Sequence, residues 1–265
     1  MSGLRLGVAL VCLVGSGCEP SLRVGDLQCS PSEAGAPSRT ANGAFNEGPL
    51  PAPWQTSFDD GFCGFKYRAG FCYSDADSSY RVVTDPVHTG PFAAAFDMNS
   101  SESTGARQTR CVREGVLPSE AYYGAWYYVP SYLSAAAHSW NLFHFQGGMP
   151  GQRLDGLWDV SMDDSSGVLA AYIANLKGGE PHDRPTPQPI PMNRWFQLEF
   201  YLKSAPDTTG EVALFQDGQE LVRVTGLITN DTPFTQWYVG NWTATIAPNS
   251  PTSSLYVDDV SVRLP

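Results

Sequence analysis

The chain of 265 residues contains no basic run. Lysine and arginine total 16 against 27 acidic residues, for a net charge of −11. Without clustered cations nothing neutralises a phosphate backbone, so nucleic-acid binding is excluded as a function class. The same net field opposes an anionic polymer, although a local group of arginines overrides it at short range. Long apolar runs are missing too: the N-terminal stretch Leu6–Val14 is far below the ~20 residues that span a bilayer. No CxxC or histidine pair accompanies the cysteines, which argues against a zinc site. Beyond a turn or two, no segment sustains a helical period.

What is present begins with the N-terminus, "MSGLRLGVALVCLVGSGC". An early Arg5, an apolar stretch and then small residues predict an export signal. The ending "VGSGC" resembles a bacterial lipobox with Cys18 as the lipidated residue, though Gly15 stands where that motif usually has leucine. The expected location is the bacterial cell envelope, lipid-anchored or secreted, with membrane contact through the N-terminal lipid only. Setting aside Cys12 and Cys18 leaves Cys29, Cys63, Cys72 and Cys111. Four cysteines in an oxidising compartment imply two disulfides, with three possible connectivities. The short loop "CGFKYRAGFC" favours Cys63–Cys72, and Cys29–Cys111 would then pin the preceding segment to the domain.

Residues 19–53 are rich in Pro, Gly, Ser and Ala and read as a tether. One domain is expected over 54–265. The 26 glycines and 21 prolines point to many turns. Short alternating runs recur between those turns: "YRVVT", "FAAAFDM", "GARQTRCV", "YGAWYYV", "WNLFHFQ", "LWDVSM", "LAAYIANL", "WFQLEFYLK", "EVALFQ", "ELVRVTG", "TQWYVGNW" and "LYVDDVSVRL". Such a series predicts an all-β sandwich or barrel. In "WFQLEFYLK", Phe196, Leu198, Phe200 and Leu202 form a core face. Trp195, Gln197, Glu199, Tyr201 and Lys203 form a polar face, where Trp195 and Tyr201 are candidate platforms for a sugar. An ordinary solvated face fits that second row equally well.

Three segments together carry a resemblance: "SFDDGF" followed by "VTDPVHTGPFAAAFDM", then "RWFQLEFYLKSAPDTTGEVALFQDGQEL", then "LYVDDVSVRL". This series resembles the concanavalin-A-like jelly-roll superfamily, and within it the polysaccharide lyases of the heparinase and alginate-lyase type. The resemblance implies a β-sandwich of two antiparallel sheets over roughly residues 54–265. It also implies a structural calcium between the first strand and the closing "DD" strand, with Asp59, Asp60, Asp258 and Asp259 as the matching carboxylates. The same aspartates would otherwise cap turns or face water. Fold alone does not decide chemistry.

Retaining hydrolases on this fold use an E-x-D-x-x-E strand. The nearest stretch here, "WDVSMDD", alternates Asp159, Ser161 and Asp163 but has no glutamates. A carboxylate pair is therefore missing for hydrolysis. β-Elimination on a uronate instead needs a group to neutralise the sugar carboxylate, a base, and an acid for the leaving oxygen. In "WNLFHFQ", the phenylalanine face is expected in the core, which turns His144 and Gln146 outward. The related lyases carry Gln-x-His on such a strand; here the order is His-x-Gln. "ARQTRCVRE" is similar to their arginine- and glutamate-bearing strand and places Arg110 and Glu114 on one face, with Arg107 and Arg113 opposite. "AYIANLKGG" matches their tyrosine-and-lysine strand through Tyr172 and Lys177, which have opposite parity. The resemblance thus implies His144 as base, Tyr172 as acid, Arg110 and Gln146 as carboxylate partners, and Glu114 beside them.

The expected function is an exported polysaccharide lyase acting on a uronate-containing glycan, with no cofactor for catalysis. A non-catalytic carbohydrate-binding lipoprotein and a surface lipoprotein without a sugar site are the competing readings. A lyase requires Arg110, His144 and a tyrosine to converge on one point, whereas a binding module requires only exposed aromatics on an open sheet.

Overall fold

The computed structural model describes residues 49–66, 70–102, 104–130, 139–148, 155–164, 167–176, 181–182, 187–230, 234–246 and 251–265. The expected export signal, Cys18, Cys29 and Lys177 lie outside them. Among the described residues there is no helix, and the strands form two antiparallel sheets.

The eight-stranded sheet runs β13 (Gln219–Leu227), β12 (Gly210–Gln216), β11 (Trp195–Lys203), β6 (Glu120–Tyr128), β15 (Ser253–Arg263), β4 (Ala93–Met98) and β3 (Ser78–Val83), with β1 (Trp54–Thr56) also paired to β15. The seven-stranded sheet runs β10 (Pro181–His182), β9 (Ala170–Asn175), β8 (Asp155–Asp163), β7 (Trp140–Gly147), β14 (Phe234–Ile246), β5 (Gly105–Glu114) and β2 (Phe71–Ser74). This is the jelly-roll sandwich. All twelve runs read from the sequence are strands, and β1, β2 and β10 are not among those runs.

Period-two alternation builds the core. Phe196, Leu198, Phe200 and Leu202 of β11 are fully buried, and Tyr123, Ala125 and Tyr127 of β6 join them. The facing sheet contributes Phe143, Phe145, Trp158, Val160, Trp237 and Val239. Burial of each large apolar side chain stabilises by about 1.5–3 kcal/mol. Packing starts earlier than Trp54: Leu50 is buried, and its N–H donates to the Val116 carbonyl at 2.9 Å.

The expected cysteine pairing is corrected. Cys72 bonds to Cys111, so neither Cys63–Cys72 nor Cys29–Cys111 exists. The reason is register. Segment 71–74, read as part of a short loop, is strand β2, and it sets Cys72 directly opposite Cys111 of β5 with Cα atoms 4.0 Å apart. Cys63 is disulfide-bonded as well.

Candidate active site

The outward face of the seven-stranded sheet gathers polar and aromatic side chains from six strands. The register explains why. Tyr238 of β14 stands opposite His144 of β7, and His144 stands opposite Asp159 of β8. On the other flank Gly240 of β14 is opposite Arg110 of β5, and Arg110 is opposite Tyr73 of β2. Because paired residues share a face, and Tyr238 and Gly240 are two apart on β14, these are two adjacent rows on one face, the second running Gly240–Arg110–Tyr73.

Arg110 is the centre of that row. Its side chain is buried, and its guanidinium lies 5.5 Å from the ring centres of both Tyr238 and Trp242. Nη2 donates to Asn141 Oδ1 at 2.5 Å. Burial pulls the guanidinium below its ordinary pKa, an effect opposed by Tyr73, Asp159 and Tyr238; it still carries its charge. Among the described residues no carboxylate reaches ion-pair distance of it. A desolvated cation held only by neutral groups and ring faces is costly, and an incoming anion would relieve that cost.

Gly240 makes this placement possible. Its φ is +148°, and a Cβ there would sit 2.4 Å from the Thr109 carbonyl oxygen and 2.8 Å from Arg110 Cα. A side chain would collide with the strand that carries Arg110.

His144 and Asp159 form the second element. Nδ1 of His144 lies 2.5 Å from Asp159 Oδ1, with both side chains largely but not fully covered. A carboxylate only accepts, so Nδ1 carries the proton and donates, which leaves the Nε2 lone pair in the neutral ring. The Tyr238 ring meets His144 edge-to-face at 5.1 Å. The Tyr238 hydroxyl donates to Gln146 Oε1 at 3.0 Å and also contacts Gln236 Oε1. Arg110 and His144 therefore flank one tyrosine ring.

The expected residues fall into two groups. Arg110, His144, Gln146 and Glu114 share this face, with Glu114 buried at one end where Gln236 Nε2 donates to it at 2.7 Å. Tyr172 is on β9 opposite Ser161, to which it hydrogen-bonds, and burial raises its hydroxyl pKa. Tyr238, not Tyr172, is the cross-strand neighbour of His144. Trp195 and Tyr201 do not belong to this site. They project from β11 on the outer face of the other sheet, where Trp195 packs on Tyr128 and Tyr201 on Tyr122. Their parity was read correctly, but the two rows face opposite ways out of the sandwich.

Sequence reading missed Asn141, Asp159, Tyr238, Trp242 and Tyr73. The parity of Asn141 along the strand matches that of Phe143 and Phe145, which predicts a core position for it. Instead, the β7–β8 register shifts between Asn141 and Phe143, so Leu142 turns inward and Asn141 shares the face of Arg110. The Tyr127 hydroxyl, reaching from the opposite sheet, donates to the Leu142 carbonyl at 3.0 Å and holds that irregularity. Asp159 did carry a signal, its alternation with Ser161, but it was weighed only as part of a hydrolase pair.

Of the four aspartates of the calcium expectation, Asp258 and Asp259 lie in the middle of β15, where its pairing with β6 shifts register, and Asp59 and Asp60 follow β1. Asp258 is fully buried and accepts N–H bonds from His88, Thr89 and Asp259. Asp259 binds the His88 ring at 2.6 Å and the Thr89 hydroxyl at 2.7 Å. Asp59 and Asp60 are exposed. Among the described residues no three such side chains converge to hold a metal ion. Both Asp258 oxygens accept N–H bonds in this arrangement.

Comparison with known proteins bears on this geometry. A family model described as polysaccharide lyase matches residues 50–261. The fold is similar to an endo-β-1,4-glucuronan lyase from the fungus Trichoderma reesei, at 15% identity over 74% of this chain and 90% of that one, with a TM-score of 0.59. It is similar to the alginate lyase Aly36B, at 11% identity over 81% and 97% of the two chains, with a TM-score of 0.56. A carbohydrate esterase from the Shiga toxin-encoding bacteriophage phi24B shares it too, at 13% identity over 80% and 97%, with a TM-score of 0.53. Curated protein sequences give no match.

Proposed function

The chain belongs to the polysaccharide lyase family, and from that premise we propose that it cleaves a uronate-containing polysaccharide by β-elimination on the outward face of the seven-stranded sheet. The observation that carries the reading is Arg110, a buried guanidinium without a carboxylate partner among the described residues, beside a His–Asp pair.

The residues divide the work as follows. Arg110 receives the uronate carboxylate, with the Gln146 amide as a second donor. Neutralising that carboxylate stabilises the carbanion-like charge that develops when the adjacent proton leaves. His144 Nε2 takes the proton from the carbon bearing the carboxylate, and the Asp159 carboxylate holds the ring and stabilises the imidazolium that forms. The bond from the neighbouring ring carbon to the glycosidic oxygen breaks. The electron pair of the lost C–H becomes the new double bond, and the leaving oxygen takes its proton from the Tyr238 hydroxyl. Trp242 offers a ring face for the sugar beside Arg110.

The test is the ultraviolet absorbance of the unsaturated uronate product, with alginate, glucuronan and heparin as substrates. Wild type is expected to generate it on at least one polymer, and His144→Ala to lower the rate by about 10²–10⁴-fold. Asp159→Asn keeps the ring in place without the charge and is expected to lower kcat with KM little changed. If wild type retains one of these polymers on a column but yields no absorbing product, the domain is a binding module and His144 is a sheet residue.

The N-terminal segment fits this reading, since an extracellular polymer requires an exported enzyme. Lipidation at Cys18 would tether it to the cell envelope; labelling with a radioactive fatty acid that persists in Cys18→Ala would sink that idea.

A further inference from the structure

The outer face of the eight-stranded sheet has a cavity of about 850 Å³, remote from Arg110 and His144. Its lining is polar and built on regular strands. Gln55 of β1 faces Ser261 of β15, and Gln197 of β11 faces Trp126 of β6. Asp59 and Asp259 close one side. Trp126 is clamped by the His88 ring, which stacks on it at 3.8 Å and 17°, and His88 is itself held by Asp259 at 2.6 Å. Gly124, on β6 beside Ser261, is closely covered: a Cβ there would lie 3.2 Å from Glu199 Cγ and 3.3 Å from Ser261 Oγ.

We propose that this cavity is a second, non-catalytic glycan site that binds an uncharged sugar. Three features lead to that class. The volume falls in the range of about 300–1,000 Å³ typical of small-molecule sites. An indole beside amides and carboxylates matches a pyranose, which stacks an apolar face on an aromatic ring and presents hydroxyls to acceptors. The charge chooses among sugars. Asp59, Asp60 and Asp259 line the cavity with no lysine or arginine among its lining residues, so a uronate is repelled there and attracted at Arg110. The two sheets thus take different parts of a mixed polysaccharide, or of two neighbouring ones.

The experiment is affinity electrophoresis of the full chain through gels containing hydroxyethylcellulose, galactomannan or laminarin, all uncharged polymers. At least one should retard wild type. Trp126→Ala and Gln197→Ala should each abolish the retardation, with thermal melting used to confirm that they fold; Gln197 is a half-buried surface side chain, so its loss spares the core. His144→Ala and Arg110→Ala should migrate as wild type does in the same gel, which separates this site from the lyase reading. No retardation by any of the three polymers overturns the proposal. So does a retardation that survives both Trp126→Ala and Gln197→Ala, or one that disappears in Arg110→Ala.

Discussion

The two sheets have the same inner face and different outer ones. Inside, both present alternating aromatic and aliphatic side chains to one core. Outside, the eight-stranded sheet carries paired, solvated charges: Arg263 with Glu199 at 2.8 Å, Arg223 with Glu211 and Glu220. Exposed pairs of this kind contribute little to stability. The seven-stranded sheet buries Arg110 and gives it no carboxylate among the described residues. Both sheets depart from regular pairing, the seven-stranded one at β7 against β14 and β8, the eight-stranded one at β12 against β13 and at β15 against β6. The difference shows that a sandwich can hold its core on one side of each strand while one outer face is solvated and the other is desolvated for chemistry.

The sharpest way to break the comparison is to move the functional load between faces. Arg110→Ala is expected to lower kcat/KM on the responsive uronate polymer by about 10²–10³-fold, the usual loss for a preorganised charge-stabilising donor. Trp195→Ala and Tyr201→Phe, on the other sheet, are expected to leave that rate within about twofold of wild type. A large loss in either of the latter would return the uronate to the face where the sequence first placed its aromatic platforms.

A smaller effect tests how the arginine is positioned. Gly240→Ala puts a Cβ 2.4 Å from a backbone oxygen at a backbone angle that L-residues avoid. The contacted atoms belong to a paired strand and cannot swing aside. The variant is expected to lose about 1–3 kcal/mol of stability in a urea melt. A displacement of Arg110 by about 1 Å would also cost up to about 10²-fold in rate. Normal activity with normal stability would show that the glycine is incidental.

Much of the sandwich was legible because period-two alternation is a local signal. The β11 core face, the outward turn of His144 and Gln146, and the shared face of Arg110 and Glu114 all followed from parity. Three things did not follow. Which outer face a row occupies depends on sheet membership, so Trp195 and Tyr201 were placed with His144 although they point out of the other sheet. A bulge shifts parity, which hid Asn141. Pairing between distant strands has no local mark, so the Cys72–Cys111 bond and the Tyr238–His144 neighbourhood were visible only in the register.

A last prediction concerns the middle of β15, where calcium was expected. Burial raises the Asp258 carboxyl from 3.8 to about 6, against the opposing pull of three N–H donors. Between those two values the folded state binds more protons than the unfolded one, so stability falls as pH rises from about 4 to about 6 and then levels off. The full change from this one group is about 3 kcal/mol. Asp258→Asn cannot ionise, so the slope of stability against pH should flatten over that window relative to wild type, whatever its effect at a single pH. A bound divalent cation would reverse the logic, because it favours the ionised carboxylate and stabilises the fold by mass action. Melting temperatures at neutral pH in excess calcium and in EDTA are therefore expected to coincide. A rise with calcium that vanishes in Asp258→Asn would mean that the carboxylate exchanges its N–H donors for a metal, and that the resemblance read the closing "DD" strand better than its hydrogen bonds do.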